Sequence, residues 1–469
     1  MPVPAPAPKH TWSSAMSLAE TGIVPGWLDK AVDPCTDFYQ YACGGFLKSA
    51  VIPADRASWG SIELVVKDAE DTLHAVLDEA IKNPKGSGDP VLDKVGAYYA
   101  ACMDEAAIDR AGAAPIQPLL DRIAKITDPA SAIATLIALH QEDVFPLFGI
   151  GPSQDFQDAT QMIASLDQAG LGLPDRKFYL ENVGTMAKTR AAYVAHLGRL
   201  FVLAGQDDKT ARASARTAMA FETRLARLQQ DEVARREPRN TYHPIGRAGL
   251  EQAAPGFPWG DYLQALGVGG VTAITVNDPA YYTRIAKLLT TEPPATLRSY
   301  FTEALLRDAA DDLSKPWVDE SFAMTKVLSG AKELPPRWRR CYERVDHDLG
   351  ELLGQSYIKI RFGGDAKGRA VELTKAVLGA MRVELDNLPW MDDATRAAAK
   401  VKLDKMAYLV GYPDKWKKYE FEIVRTDYAG NLKAADRWET QRQLKKIGQP
   451  VDRFDWGMSP PTVNAYYDP

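Results

Sequence analysis

Metal chemistry is the first possibility that the residue types raise. The chain has six histidines, His10, His74, His140, His196, His243 and His347, and no two lie within five residues of each other. A helical zinc site needs two histidines at i and i+4 on one face, as in H-E-x-x-H. That pattern does not occur here. His140 in "HQED" and His347 in "VDHDLGE" have acids beside them and no second histidine, so both read as solvated charge near helix ends. There is no C-x-x-C, no G-x-S-x-G and no P-loop. "GLGLPD" (Gly170 to Asp175) has two glycines, no third, and no strand–helix context for a dinucleotide, so it reads as a loop. Spacing alone marks out no metal ligand and no catalytic residue in this chain.

Four cysteines allow three disulfide pairings or none. Cys35 and Cys43 sit in "DPCTDFYQYACGG". If that stretch is helical, a rise of ~1.5 Å per residue separates their Cα atoms by ~12 Å. A disulfide needs Cα atoms within ~7 Å, so these two are not expected to pair.

The elements that would position such residues are mostly helices. In "SIELVVKDAEDTLHAVLDEAIK" the apolar Ile62, Val65, Val66, Ala69, Leu73, Val76, Leu77 and Ala80 recur at helical spacing. "NPKGSGDP" then breaks the helix. Further helices are predicted at Ala187 to Ala204, Thr210 to Glu232, Pro279 to Leu289, Thr296 to Leu313, Leu349 to Ile360, Ala366 to Leu385 and Asp393 to Met406. "DVFPLFGIGPS" with "TQMIASLDQAG" predicts a small hairpin. Thr462 to Tyr467, in "PPTVNAYYDP", reads as a strand with no sheet in sight. From Leu409 onward Gly, Pro, Trp and Tyr become frequent, which places a domain change near Met406.

The chain has 469 residues, 46% hydrophobic and 25% charged, with a net charge of −6. That is ordinary globular composition. Basic clusters are no longer than a few residues, which disfavours nucleic-acid binding. No apolar run approaches the ~20 residues of a membrane span. The Pro/Ala-rich start, "MPVPAPAPKHTWSSAM", reads as a flexible leader or as a chain whose export signal has been removed.

Several segments resemble the neprilysin / endothelin-converting-enzyme family of zinc metallopeptidases, in particular its bacterial members. These are "DPCTDFYQYACGGFLKSAVIPADRASWGSIELV", "YYAACMDEAAID", "GLGLPDRKFYL", "FETRLARLQQDEVARREPRNTYHP", "PPRWRRCYERVDHDLGELLGQSYI", "VGYPDKWKKY" and "WGMSPPTVNAYYDP". They occur in family order and span residues 20–469.

The resemblance implies a mainly α fold. A large multi-helical lobe is followed by the beginning of a thermolysin-like α/β catalytic lobe, incomplete in this chain. The implied domains are a leader at 1–20, a segment at 21–45 linking to the catalytic lobe, a helical capping lobe at 46–406, and the start of the catalytic lobe at 407–469. The family's H-E-x-x-H, third glutamate ligand and later His and Arg all lie downstream of N-A-[YF]-Y, which here is Asn464-Ala465-Tyr466-Tyr467. Zinc is therefore implied for the intact enzyme, with no ligand and no catalytic residue in this chain.

By the same resemblance, "TVNAYY" is a substrate-facing edge strand. The Asn464 side chain and the Ala465 carbonyl would hold a substrate backbone. Cys102 and Cys341 match a pair that bridges within the helical lobe. Cys35 and Cys43 match cysteines whose partners lie near the family's C-terminus. Vertebrate members place a basic residue directly before the aromatic–Gly pair, here Trp59-Gly60. This chain has Ser58 there and Arg56 two residues earlier, and Arg56 reads first as an exposed solvated arginine. The implied function is the N-terminal part of a neprilysin-like zinc endopeptidase of small peptides. It would be periplasmic or extracellular and partnered by the missing catalytic lobe. The alternative is a naturally truncated, non-catalytic relative that binds peptides or serves as a scaffold.

Overall fold

A computed structural model describes residues 23–82 and 86–468. The expected leader at 1–20 and part of the break after Lys82 lie outside the described residues. The fold is built of helices with one small sheet.

Many of the helices begin at an Asp, several of them followed by Pro. Asp89, Asp128 and Asp278 each accept hydrogen bonds from first-turn backbone N–H groups, with Pro at the start of the helix behind them. The carboxylate satisfies orphan donors, and proline gives up an N–H that had no partner anyway. At Asp128 the Ser131 side chain returns a bond to complete a capping box.

The predicted hairpin is present. β1 (Phe148–Gln154) pairs antiparallel with β2 (Met162–Gln168), with Ile150 opposite Leu166. A third strand, β3 (Ile274–Val276), joins β2 in parallel, with Ala164 opposite Ile274. β3 is three residues long and fully buried, and so shows no alternation in the sequence.

Two cores hold the molecule. The larger surrounds the sheet and includes Phe148, Leu166, Phe201, Phe221, Trp259, Tyr282 and Tyr300. The second lies between the Ser61–Lys82, Pro90–Met103 and Arg337–Arg361 helices and includes Leu73, Leu77, Tyr98, Tyr99, Val345 and Leu353. The disulfide between Cys102 and Cys341 lies within this second core, with Cα atoms 5.6 Å apart.

The change of composition at Met406 does not mark a gap in packing. Tyr428 and Leu432, on the Tyr428–Leu444 helix, belong to the second core, and Leu444 and Ile447 belong to the first. Trp438 packs on Tyr419 and Phe421, with ring centroids 4.8 and 5.7 Å away. These two aromatics, from the segment before the helix, cover Trp438.

The predicted Leu349 to Ile360 helix is the second half of a longer one, Arg337–Arg361. Leu349 breaks its regularity with φ −130° and ψ 26°. This kink sits inside "VDHDLGE" and shapes the site described next.

Candidate substrate segment and the acidic cavity at its root

The kinked helix presents Gly350 and Gly354 on one face, four residues apart. A Cβ on Gly350 would stand 2.7 Å from Ser459 Cβ, and one on Gly354 2.6 Å from Pro460 Cδ. Only glycine lets the Ser459–Pro460 backbone lie this close. The Ser459 hydroxyl donates to Asp346 Oδ2 at 2.9 Å, and Pro461 is buried. From Thr462 to Asp468 every residue is exposed.

This exposed stretch carries the two residues expected to hold substrate. Thr462 to Tyr467 joins no sheet among the described residues. Locally it is turned by two bonds: Asn464 N donates to Thr462 O at 3.1 Å, and Ala465 N to Asn464 Oδ1 at 2.8 Å. The Tyr466 hydroxyl accepts from Gly457 N at 3.1 Å, and Lys402 Nζ stands 5.5 Å from the Tyr467 ring centroid. Asn464 and Ala465 thus sit on an unpaired segment anchored at both sides.

Beside the root lies a cavity of about 460 Å³. Its wall carries Asp143, Asp346, Asp348, Glu351, Asp436 and Glu439. Four of these have a cationic partner. Arg344 Nε bonds Asp348 at 2.8 Å and its Nη2 bonds Asp436 at 2.7 Å. Lys417 Nζ lies 3.2 Å from Glu351, and Arg442 Nη2 2.7 Å from Glu439. Asp348 is buried and also receives the Tyr98 hydroxyl and the His347 ring, the latter at 2.7 Å. That bond raises the His347 pKa above its ordinary value.

Burial pushes Asp346 and Asp436 up to about 6, since desolvation disfavours the charged form. Asp143 is raised for the same reason. Both Asp143 and Asp346 have only a hydroxyl partner, Thr440 at 2.8 Å and Ser459 at 2.9 Å. The second oxygen of Asp346 is closed off from solvent and takes no hydrogen bond.

The other residues singled out in the sequence fall elsewhere. Arg56 is not solvated. It pairs with buried Glu70 and lies over Trp59 at 5.6 Å, because the turn into the Ser61–Lys82 helix folds it back onto that helix. His140 is at a helix end but fully buried, which corrects its reading as solvated charge. Its Nδ1 is 2.9 Å from the Tyr262 hydroxyl and its Nε2 is 3.3 Å from Pro146 O, and burial pushes its pKa down to about 4. His347, by contrast, has an exposed ring as expected, but it lies inside the Arg337–Arg361 helix and not at a helix end. Cys35 precedes the Phe38–Ser49 helix and Cys43 lies within it; both are free. The helical geometry assumed for the pair holds only from Phe38 onward, since Asp37 caps the helix.

The acidic cavity was not found by sequence reading. Its signal was half visible, because "VDHDLGE" places Asp346, Asp348 and Glu351 together. The other half comes from Asp143, Asp436 and Glu439, distant in sequence.

The chain belongs to peptidase family M13, whose sequence profile matches residues 34–413. It is 28% identical to human endothelin-converting enzyme 1 over 98% of this chain and 62% of the human protein. It is 28% identical to Drosophila melanogaster neprilysin-3 over 94% of this chain and 60% of that protein. The chain thus spans about three-fifths of the length of these relatives. Its fold superposes on the Mycobacterium tuberculosis zinc metalloprotease Zmp1 in complex with an inhibitor. The TM-score is 0.89 at 31% identity, covering 95% of this chain and 68% of the other. PepO from Lactobacillus rhamnosis shares the fold, with a TM-score of 0.83 at 22% identity over 92% of this chain and 69% of that chain.

Proposed function

We propose that this chain forms the helical lobe and the first substrate-contacting segment of a neprilysin-like zinc endopeptidase acting on small peptides. The observation that carries this reading is the exposed, unpaired Thr462 to Asp468 segment in a chain of family M13. Backbone groups outside any sheet can take a peptide as an added strand once the local turn at Asn464 opens. Asn464 and Ala465 would supply the side-chain amide and the carbonyl that hold the substrate backbone. Asn464 Oδ1 would first have to release Ala465 N.

Zinc is implied by the family and would be held by residues outside this sequence. The described residues contain no group of three His, Cys, Asp or Glu placed to bind a metal ion. None of the described residues is therefore assigned a metal-ligating role, and no step of hydrolysis is assigned to them. Their contribution is to bind, orient and enclose.

An apolar face supports a lobe docked on this one. Leu373, Val377 and Met381 recur every four residues on the Ala366–Asn387 helix and are 67%, 61% and 50% exposed. Trp390 follows at 73%. A row of this kind is the signature of a covered surface, and we assign it to the catalytic lobe. An exported location is consistent with the disulfide, since such bonds persist in oxidising compartments. No described helix is long and apolar enough to cross a membrane.

The test is to express residues 1–469 joined to the H-E-x-x-H lobe of a family M13 protein and assay cleavage of short peptides. The reading expects zinc-dependent hydrolysis by the joined protein. Failure of a folded, zinc-loaded joined protein to cleave any peptide would overturn it.

A further inference from the structure

We propose that the outer face of the small sheet is a subsite for a saccharide, taking one neutral pyranose ring. This goes beyond the peptidase reading and does not depend on it.

Strand register fixes which side chains share that face. Phe148, Leu166, Ile274 and Val276 belong to the larger core. The alternate residues Ser153, Ser165, Asp167 and Thr275 therefore share the opposite face. Gly149 and Gly151 stand on it too, opposite Asp167 and Ser165. Glycine weakens a strand, and inside one it marks a bulge, a bend at a barrel corner, or the close approach of a ligand or another backbone. Pairing runs in unbroken register from Phe148 to Gln154, so there is no bulge. The sheet has three strands and is no barrel. Neither glycine has a left-handed φ, and a Cβ on either would meet nothing within 4 Å, so no described backbone approaches them. Their effect is to leave Asp167 and Ser165 uncovered, which is the arrangement a ligand needs.

A cavity of about 380 Å³ lies over this face. One wall comes from Glu232 to Tyr242, within "FETRLARLQQDEVARREPRNTYHP", a segment to which the peptidase reading gives no task. Phe156, from the hairpin loop, is 52% exposed at the rim and packs on Tyr242 with ring centroids 5.0 Å apart.

The lining defines the ligand class. Arg235 and Arg236 are balanced by Asp167 and Glu232, so an ionic ligand finds no net charge to attract it. Arg235 is already paired with Asp167. What remains is neutral hydrogen bonding. The Thr275 hydroxyl is only 3% exposed and accepts from His243 N at 3.0 Å, and among the described residues no acceptor takes its own proton. A buried hydroxyl can both donate and accept, so half of its capacity is unused. A pyranose matches such a site. Its hydroxyls donate and accept together, and its apolar C–H face can lie on an aromatic ring such as Phe156. Pockets of this kind combine aromatic surface with a few polar groups that fix orientation.

The experiment is calorimetric titration of the full chain with the methyl pyranosides of glucose, galactose, mannose and N-acetylglucosamine at millimolar concentrations. The inference expects saturable binding of at least one. Gly151→Thr installs a strand-favouring residue and sets a side chain beside Ser165. It should lower the affinity ten-fold or more with thermal stability retained. Phe156→Ala, at the exposed rim, should weaken the same sugar five-fold or more with the fold intact, and it decides the matter if Gly151→Thr does not fold. Carrying that sugar on the serine of a pentapeptide separates two sources of the ring. Tighter binding of the glycopeptide than of the methyl glycoside points to glycosylated peptides, and equal or weaker binding to free saccharide; both uphold the subsite. No saturable binding of any of the four sugars would overturn it and leave the peptidase reading standing. Binding that is unchanged in the folded variants would overturn it as well.

Discussion

The Ser459 hydroxyl is bonded to Asp346 Oδ2 at 2.9 Å, and this contact ties the root of the exposed segment to the kinked Arg337–Arg361 helix. Gly350 and Gly354 make the approach possible. Glycine in a helix ordinarily costs about 1 kcal/mol relative to alanine. On propensity alone Gly354→Ala should therefore stabilise. We expect the reverse, a loss of about 1–3 kcal/mol, because the new methyl meets Pro460 in a packed site. Chemical denaturation measures the sign, and a more stable Gly354→Ala protein would show that the root is not held as described.

Removing the Cys102–Cys341 link should be costly, since it closes a sequence separation of 239 residues. Loop-closure entropy for a loop of this length puts the loss at about 5.5 kcal/mol, and strain in the native state would reduce it. Denaturation of the Cys102→Ser/Cys341→Ser protein against the oxidised parent gives the value. Non-reducing peptide mapping should leave Cys35 and Cys43 unlinked to each other.

Two buried groups contribute to the pH dependence with opposite signs. His140 is neutral in the fold with its pKa pushed down to about 4, while the unfolded chain titrates near 6.5. Its contribution is complete above pH 6.5 and is lost as pH falls toward 4, a change of about 3 kcal/mol. His140→Gln should flatten that acid limb, whatever it does to stability at pH 7. An unchanged acid slope would contradict the buried, neutral ring.

Glu222 works the other way. It is fully buried, and burial and then the charge of Glu303 raise its pKa well above the ordinary carboxylate range. The Tyr193 hydroxyl stands 3.2 Å from Glu222 Oε1 and 2.9 Å from Glu303 Oε1. The folded state keeps a proton that the unfolded chain gives up near pH 4.5. Stability should therefore decline as pH rises above that value. Glu222→Gln should remove this decline, as seen by thermal unfolding from pH 5 to 9. A parent protein whose stability rises steadily over that range, and a variant that follows it, would show Glu222 to be ionised.

What the sequence could and could not reveal follows from locality. The Ser61–Lys82 helix was legible because eight apolar residues in one stretch repeat at its period. The hairpin was legible because both strands are neighbours in sequence. β3 was not, being three buried residues whose partner strand lies about a hundred residues earlier in the chain. His140 looked solvated because "QED" follows it, but Phe148 from the next strand and Tyr262 from a distant helix close over the ring. The acidic cavity required three parts of the chain to meet. The role expected of the N-A-Y-Y segment came only from family resemblance, since nothing in its spacing distinguishes a substrate-binding segment from any other.

The exposed segment gives the most direct test of the whole account, in the intact peptidase that carries residues 1–469 together with an H-E-x-x-H lobe. We would compare kcat/KM for a short peptide between the parent and Asn464→Ala, with zinc content measured in both. The proposed function assigns Asn464, on an exposed segment, to the substrate backbone, so the account predicts at least a ten-fold fall in kcat/KM with zinc unchanged. A kcat/KM equal to the parent's would contradict it, and so would a fall that tracks lost zinc.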